Sequence, residues 1–245
     1  MKDFWKIVKH VIKGSDIILL VMDARFPELS RNEELEGRSK NKKIIYVLNK
    51  CDLVENKKEL EMWKKKLKYC VFTSATERYG ITILKRKIKE LARDEEKVFV
   101  GVVGYPNAGK SSIINALKGR NSAPVSAMSG YTKAKQMLRL SEGIYMMDTP
   151  GVLPYMERDE KKLSMIAAKD FSKVKDPEGV VYDLISQNKS LICRHYGVEE
   201  DEPEEVLEAI AIKYNKLKKG GVPDYDQIAR MILRDWQRGK IKVDH

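Results

Sequence analysis

Continuous apolar runs recur through the first two thirds of the chain and are separated by stretches of mixed character. The runs IILLVM, IIYVL, CVF and VFVGVV are each bounded by charged or turn-forming residues. Runs of this length without polar interruption are typical of parallel strands that are covered on both faces of a sheet. They predict four strands, over residues 15–24, 42–50, 69–75 and 97–104.

Residues 4–13 carry apolar side chains three or four positions apart, which is the spacing of one helix face and predicts a helix there. Helices are also expected to fill the intervals at about 56–68 and 80–93 and to follow the fourth strand over about 110–118. Two shorter apolar runs, 136–140 and 143–148, flank Ser141–Gly143 and predict a hairpin. Strands that alternate with helices in this way predict a doubly wound, mostly parallel α/β sheet.

Beyond Pro154 the strand pattern stops and every remaining segment has helical spacing. We therefore predict two domains, an α/β domain over residues 1–165 and a smaller all-α domain over residues 166–245. Ile228, Ile232 and Trp236 recur at helical spacing in the second domain. We expect them in its core rather than on a recognition surface.

Composition narrows the class of protein. The chain has 245 residues, of which 42% are apolar and 34% charged, and it contains no apolar run long enough for a membrane helix. We expect no signal peptide and no membrane partner. The three cysteines have no C-x-x-C spacing and the three histidines are scattered, so zinc is not expected and a reducing cytoplasm is favoured.

The net charge of +11 lies almost entirely in the first domain. Residues 1–165 contain 33 Lys and Arg against 21 Asp and Glu, with dense runs at Lys64–Lys66 and Lys85–Lys87. Each run alone is also compatible with a solvated helix face. A whole domain of this sign favours a polyanionic partner, because neutralising phosphates releases counterions.

The strongest local motif is GYPNAGKSS, residues 104–112, which fits G-x-x-x-x-G-K-[ST] between a predicted strand and a predicted helix. Its glycines allow backbone amides to surround phosphate oxygens, and the helix N-terminus adds positive potential. We expect Lys110 at the β- and γ-phosphates and Ser111 on Mg²⁺. The nucleotide-binding residues predicted in this loop are Asn107, Ala108, Gly109, Lys110, Ser111 and Ser112.

Two later motifs complete a phosphate site. In MMDTPG, Asp148 ends an apolar strand and is expected to hold Mg²⁺ through water, while the Gly151 N–H meets the γ-phosphate. In GYTK, Thr132 is placed to touch Mg²⁺ and the γ-phosphate, although a lone threonine is also compatible with a structural role. We predict Lys110, Thr132 and Gly151 as the catalytic residues.

The sequence NKCD, residues 49–52, has the pattern of a loop that recognises guanine. The carboxylate of Asp52 is suited to accept the N1–H and N2–H₂ edge of the base. Asn49 is expected to contact the base and tie neighbouring loops, while the aliphatic stem of Lys50 covers the ring. In TSA, after the next strand, Ser74 and Ala75 are expected near guanine O6.

These motifs occur in an unusual order, because both base-recognition loops precede the phosphate-binding loop. All of them end predicted strands, and the carboxyl ends of parallel strands bind ligands in α/β sheets. The order is therefore that of a circularly permuted GTPase, in which residues 76–96 join the usual termini. In this arrangement DTPG leads directly into the helical region, so hydrolysis can reposition that region.

With these motifs the chain resembles the YlqF/RbgA-like family of circularly permuted GTPases, which act in assembly of the large ribosomal subunit. The resemblance covers DARFPELSRN (23–32), NKCDL, TSA, GYPNAGKSSIIN, GYTK, DTPGV and the tail over residues 216–241. It implies a P-loop, Ras-like fold, hydrolysis of GTP to GDP and phosphate, Mg²⁺ as cofactor, and binding to rRNA and the large subunit. It implies no DNA partner, and we expect a monomer.

The resemblance also bears on catalysis. Family members carry a hydrophobic residue where Ras-like proteins have a water-orienting glutamine, and Val152 stands there in this chain. Because Val152 cannot hydrogen-bond water, slow intrinsic hydrolysis is expected. Bacterial relatives use a Gly-His-Met tripeptide, but we expect His10 to be a surface helix residue without that role. Asn107 matches the position that coordinates K⁺ in cation-dependent relatives, or it stabilises its loop.

The leading hypothesis is a slow GTPase that is activated by the ribosomal particle, with residues 166–245 and the basic domain contacting rRNA. One alternative is a GTP-gated RNA-binding scaffold in which occupancy, not hydrolysis, matters. Another is a GTPase linked to tRNA or to translation.

Overall fold

The computed structural model describes residues 2–54, 57–93, 95–118, 124–125, 137–147, 160–166 and 168–241. The chain divides into two compact units, residues 1–157 and 158–245. The division falls before the predicted boundary at residues 165 and 166, so the helix Glu160–Met165 belongs to the second unit.

Seven strands among the described residues form one sheet in the first unit. In chain order they are β1 (Ile17–Asp23), β2 (Lys43–Asn49), β3 (Cys70–Thr73), β4 (Val98–Gly104), β5 (Pro124–Val125), β6 (Met137–Ser141) and β7 (Ile144–Met147). Their order across the sheet is β3-β2-β1-β4-β7-β6-β5. The first five strands in this order, β3, β2, β1, β4 and β7, pair in parallel with their neighbours. β6 pairs antiparallel with β7 and with β5. The predicted mostly parallel sheet and the predicted hairpin are confirmed.

Helices follow the strands in the first unit. They are α1 (Lys2–Lys13), α2 (Pro27–Ser30), α3 (Glu33–Arg38), α4 (Lys57–Lys66), α5 (Ile81–Leu91) and α6 (Lys110–Leu117). Four of these helices, α1, α4, α5 and α6, match the helices predicted from the sequence. The short helices α2 and α3 were not predicted, because four and six residues are too few to display a helical period.

The central strand β1 is buried at all seven positions. Its odd-numbered side chains from Ile17 to Val21 share an apolar core with residues of α5 and α6. Its even-numbered side chains from Ile18 to Met22 share a second core with residues of α1, α3 and α4. Because both faces are covered by helices, the strand needs apolar residues at every position, which explains the uninterrupted run in the sequence.

The strand order brings the carboxyl ends of β1, β2, β3 and β4 together at one edge of the sheet. The chain winds outward from β1 through β2 to β3 and then returns to place β4 on the other side of β1. Doubly wound sheets bind ligands at such a reversal, outside the carboxyl ends of the strands. Asp23, Asn49, Thr73 and Gly104 are the last residues of β1, β2, β3 and β4, so all four lie at this edge.

The second unit is helical, apart from an isolated bridge between Leu217 and Pro223. Its helices are α7 (Glu160–Met165), α8 (Pro177–Tyr196), α9 (Pro203–Lys213) and α10 (Tyr225–Gln237). The predicted core residues Ile228, Ile232 and Trp236 are buried on α10, and the Trp236 indole donates to the Met165 carbonyl at 3.0 Å. Within the described ranges, no helix combines the length and apolarity that spanning a bilayer requires.

Candidate nucleotide-binding site

The loop between β4 and α6 has the backbone that a phosphate cradle requires. Gly104 has φ +149°, and a Cβ there would lie 2.3 Å from the Val21 carbonyl oxygen, so only glycine fits against β1. Asn107 and Gly109 also have positive φ, which turns the intervening chain sharply before α6 begins. Successive turns of this kind aim backbone N–H groups toward one point, the arrangement that binds anions.

Lys110 is the first residue of α6, and its side chain is only about one-twentieth exposed. Its ammonium donates to the Tyr105 carbonyl at 2.8 Å, inside the same loop. The buried cation is thus held at the concave side of the loop, where the predicted contact with β- and γ-phosphates would occur. Ser111 and Ser112 follow on the exposed side of the first helical turn, and Ala108 is buried beneath the loop.

The donor set is suited to Mg²⁺ only in combination with a nucleotide. Within the described residues, no group of three or more His, Cys, Asp or Glu side chains could hold a metal by itself. The exposed hydroxyl of Ser111 is a hard oxygen ligand of the type that Mg²⁺ accepts alongside phosphate oxygens. Thr132, Asp148, Gly151 and Val152 lie outside the described residues, so their predicted roles stay predictions.

The predicted base-recognition loop begins where β2 ends. Lys50 has φ +65°, and residues Cys51–Leu53 form a short 3-10 turn that carries Asp52. The Oδ1 atom of Asp52 is buried and has no hydrogen-bond partner among the residues that the structure describes. A buried carboxylate oxygen without a donor is costly, and the N–H groups of a guanine edge would supply the missing donors. This geometry fits the role predicted for Asp52.

Asn49 joins three loops through its buried side-chain amide. Its Nδ2 donates to the Ala108 carbonyl of the phosphate loop at 3.0 Å. Its Oδ1 accepts from the hydroxyl of Thr73, the last residue of β3, at 3.3 Å and from the N–H of Ala75, in the loop after β3, at 3.2 Å. The tie that the sequence predicts for Asn49 is therefore present. The phosphate loop and both base-recognition loops lie within reach of one nucleotide.

Gly109 makes this tie possible, which leads to a testable prediction. It has φ +95°, and an added Cβ would lie 2.1 Å from Asn49 Nδ2. Gly109→Ala should therefore strain the backbone and displace Asn49, with a loss of about 1–3 kcal/mol in the free energy of unfolding and weaker GDP binding. Denaturant unfolding and calorimetric GDP titration measure both effects.

Gly37→Ala is the matched control for this substitution. Gly37 lies within α3, and a Cβ there would meet nothing within 4 Å, so alanine should be neutral or slightly stabilising. Equal stability and equal GDP affinity in the two variants would contradict the proposed role of Gly109.

A buried ionic cluster beside Asn49 was not predicted from the sequence. The carboxylate of Asp23, at the end of β1, accepts from Arg25 Nε at 3.0 Å, from Arg25 Nη2 at 2.8 Å and from Lys50 Nζ at 2.8 Å. The Asp23 and Arg25 side chains are almost completely buried, and that of Lys50 is 18% exposed. Asp23 thus holds the ammonium of the lysine whose stem is expected to cover the base.

The pKa values in this cluster follow from burial and charge. Burial alone would raise the pKa of Asp23, but the charges and hydrogen bonds of Arg25 and Lys50 hold that pKa well below its usual range. Burial lowers the pKa of the Lys50 ammonium, and the charge of Asp23 opposes this effect. The register that pairs Asp23 with Asn49 brings Asp23 and Lys50 together, and the sequence motif DAR was the available signal.

Other sequence-based predictions concern single residues near this edge. Ser74 is buried after β3 and its backbone N–H donates to the Tyr79 carbonyl, while Ala75 is half-buried. His10 is exposed on α1, as expected for a surface helix residue. The cysteines Cys51, Cys70 and Cys193 form no disulfide.

Comparison with protein families supports this geometry. A family model described as RsgA GTPase matches residues 6–155, which is more than half of the chain. A second model, described as 50S ribosome-binding GTPase, matches residues 99–216. Both matched segments include the phosphate loop, and the first also includes the base-recognition loops.

Solved structures of YlqF share the fold over almost the whole chain. GDP-bound TM YlqF superimposes with a TM-score of 0.71 at 26% identity, covering 96% of this chain and 95% of that one. GNP-bound YlqF from T. maritima gives a TM-score of 0.69 at 26% identity, covering 98% of this chain and 95% of that one. The chain belongs to the YlqF-like family of circularly permuted GTPases. Its activity class is therefore that of a GTP-binding GTPase.

Curated relatives of this permuted GTPase extend the comparison. An uncharacterized GTP-binding protein of Methanocaldococcus jannaschii is 44% identical over 98% of this chain and 67% of its own length. Nucleolar GTP-binding protein 2 of Saccharomyces cerevisiae is 34% identical over 98% of this chain and 52% of its own length. Nuclear/nucleolar GTPase 2 of Arabidopsis thaliana is 34% identical over 98% of this chain and 44% of its own length. The chain thus spans about half the length of these two nuclear and nucleolar relatives.

Proposed function

We propose that this permuted GTPase hydrolyses GTP in the assembly of the large ribosomal subunit, with binding to rRNA that depends on the nucleotide. The observation that carries the proposal is the Asn49 amide, which joins the phosphate loop to both base-recognition loops. The names of the nucleolar relatives and the 50S ribosome-binding family model support a ribosomal partner. The net charge of +11 supports an RNA partner.

The proposed chemistry assigns each phosphate contact to a residue of this chain. Lys110 would bind the β- and γ-phosphates, and the Gly151 N–H would meet the γ-phosphate. Ser111, Thr132 and Asp148 would hold Mg²⁺, which would neutralise charge on the phosphates during transfer to water. Asp52, Asn49 and the stem of Lys50 would orient the guanine.

The group that activates the attacking water is proposed to come from outside the described site. Val152 has no polar atom to orient water, so the free protein should turn over slowly. Either the ribosomal particle supplies the activating group, or K⁺ bound near Asn107 adds positive charge at the phosphates. Asn107 is exposed and lies in the phosphate loop with φ +57°.

Large ribosomal subunits should therefore stimulate GTP hydrolysis, by about tenfold or more. Phosphate release would be measured with and without purified large subunits, in K⁺ and in Na⁺ buffers, with small subunits as the particle control. Lys110→Ala should abolish the stimulated rate. A rate that large subunits leave unchanged in K⁺ buffer would reject the ribosomal partner.

Hydrolysis and occupancy are separable in the same system. A variant that binds GTP but does not hydrolyse it should stay on the particle longer than the wild type if hydrolysis drives release. Equal release of the two proteins would favour a GTP-gated scaffold instead.

A cytoplasmic location and a monomeric state stay predictions, and the relatives with named locations are nuclear or nucleolar.

A further inference from the structure

The strand β3 forms one edge of the sheet and is flanked by the most basic segment of the chain. Among the described strands it pairs only with β2, and it stands first in the strand order. Residues 57–93, which comprise α4, β3, α5 and their connections, contain twelve Lys and Arg against four Glu. This segment therefore carries a net charge of +8, whereas the whole chain carries +11.

The two lysine runs of the sequence converge on aromatic rings at this edge. Lys68 Nζ lies 5.4 Å from the ring centroid of Tyr69, and Lys87 Nζ of α5 lies 5.7 Å from the same ring. On the other face of the strand, Lys64 Nζ of α4 lies 5.9 Å from the ring centroid of Phe72. We call these five residues the β3-edge patch: Lys64, Lys68, Tyr69, Phe72 and Lys87.

Exposed apolar side chains extend the β3-edge patch. Met62 on α4 is 61% exposed, and Ile83, one turn before Lys87 on α5, is 47% exposed. Tyr79 is 60% exposed and pairs through its backbone with Ser74, just after β3. Large side chains exposed beside positive charge mark an interaction surface more often than isolated exposed residues do.

The ion pairs at this surface leave its lysines available to a stronger ligand. Lys64 and Glu61 are 3.7 Å apart and both are more than half exposed. Lys87 and Glu90 are 2.7 Å apart, with Glu90 half exposed. Exposed pairs of this kind contribute little to the stability of a protein. A phosphate group with its own charge and several acceptor oxygens would replace such carboxylates at little cost.

We propose that the β3-edge patch binds a single-stranded or looped segment of RNA, and that its contribution to RNA affinity is the same in the GTP and GDP forms. Phosphates would contact Lys64, Lys68 and Lys87, and a base would stack on the exposed ring of Tyr79. The inference rests on the proposed function, because it assumes that RNA is the partner. It adds which surface binds the RNA and in which nucleotide states.

Independence from the nucleotide state follows from which loop adjoins the surface. β3 leads into Ser74 and Ala75, and the Ala75 N–H donates to Asn49 at 3.2 Å. This loop is predicted to contact the base, which is identical in GTP and GDP. The γ-phosphate is expected to be sensed by Thr132 and Gly151 instead. The β3-edge patch therefore should anchor RNA throughout the cycle, while other contacts respond to hydrolysis.

The edge lysines also have a protective explanation, because lysine on an edge strand opposes pairing with another chain. A matched pair of variants separates the two. Lys68→Gln with Lys87→Gln removes two of the three lysine charges of the β3-edge patch. Lys85→Gln with Lys89→Gln removes the same charge from the opposite flank of α5, where these lysines lie beside Leu140 and Ile144.

The experiment measures binding of fluorescein-labelled single-stranded oligo(A) RNA by anisotropy, with GDP and with a GTP analogue, across a salt series. The variant K68Q/K87Q should bind about tenfold more weakly than K85Q/K89Q. Its slope of log affinity against log salt should be smaller by about 1.4, as for two lost phosphate contacts on a single strand. The loss should be equal in both nucleotide states, and Tyr79→Ala should weaken binding without changing the slope.

Each other outcome overturns the inference. Equal losses in the two double variants would mean that net charge alone attracts RNA. A loss confined to the GTP form would reject the state-independent grip. Unchanged RNA affinity together with self-association of K68Q/K87Q, measured by light scattering, would assign the lysines to edge protection or to a protein partner. Failure of the wild type to bind oligo(A) or large subunits at all would instead reject the proposed RNA partner.

Discussion

Asp52→Asn is expected to convert the site from guanine to xanthine nucleotides. The buried Oδ1 of Asp52 lacks a donor within the described part of the chain, and guanine N–H groups would satisfy it. An amide at this position offers a donor where the base edge also donates, so GDP affinity should fall by about a hundredfold or more. Xanthine carries a carbonyl in place of the exocyclic amine and should gain affinity. Competition of GDP and XDP for a fluorescent nucleotide measures the reversal.

The control for Asp52→Asn is the same acid-to-amide change at Asp201, which is 89% exposed in the second unit. Asp201→Asn should leave the ratio of GDP to XDP affinity at its wild-type value. The unfolding temperature of nucleotide-free Asp52→Asn should stay close to wild type, because the buried Oδ1 accepts no hydrogen bond from the described residues. An unchanged preference for GDP in Asp52→Asn would remove the base-recognition assignment.

Asp23→Asn is expected to be the most destabilising of these substitutions. It leaves the Arg25 and Lys50 side chains without the carboxylate that accepts three hydrogen bonds from them in a buried site. Removing one partner of a buried ion cluster costs about 3–5 kcal/mol. Since Lys50 also loses its anchor, GDP should bind about tenfold more weakly. Denaturant unfolding and GDP titration measure the two effects.

Glu34→Gln is a matched control in the same segment, because Glu34 pairs with Arg38 on the exposed face of α3. It should cost about 1 kcal/mol or less and leave GDP affinity unchanged. Equal losses in the two variants would contradict the role of Asp23.

The effect of Asp23→Asn should depend on pH in a direction set by the pKa of Asp23. That pKa is held well below its usual range in the folded protein. The stabilisation is therefore complete above the unfolded carboxyl pKa of about 3.9 and is lost as the pH falls below it. The difference in unfolding free energy between the wild type and Asp23→Asn should shrink between neutral pH and about pH 3.

The sequence predicts the sheet well because its signals are local. The strand β1 is buried at every position and therefore shows an uninterrupted apolar run. The phosphate loop has glycine at Gly104 and Gly109 because both have positive φ and leave no space for a Cβ, and the sequence motif contains both glycines. For the short helices α2 and α3 the sequence indicates only where each helix begins. Pro27 begins α2 and the Asn32 side chain caps α3, and neither forms a period.

The tertiary groupings needed the structure. The contact between Asp23 and Lys50 depends on the register of β1 against β2, because 27 positions separate the two residues. Likewise, Lys64 of α4 and Lys87 of α5 come to the same sheet edge because each lies beside an aromatic ring on one face of the edge strand β3. Periodicity reports which face of an element is apolar, and it does not report which faces meet.

The reordered strands also affect how the protein emerges during its own synthesis. β1 pairs with β2 on one side and with β4 on the other, and β4 begins only at Val98. At about 5–20 residues per second, β4 is translated roughly 4–15 s after β1. During that interval the most apolar strand of the nascent chain has an open edge, which is where misassociation with other chains would start.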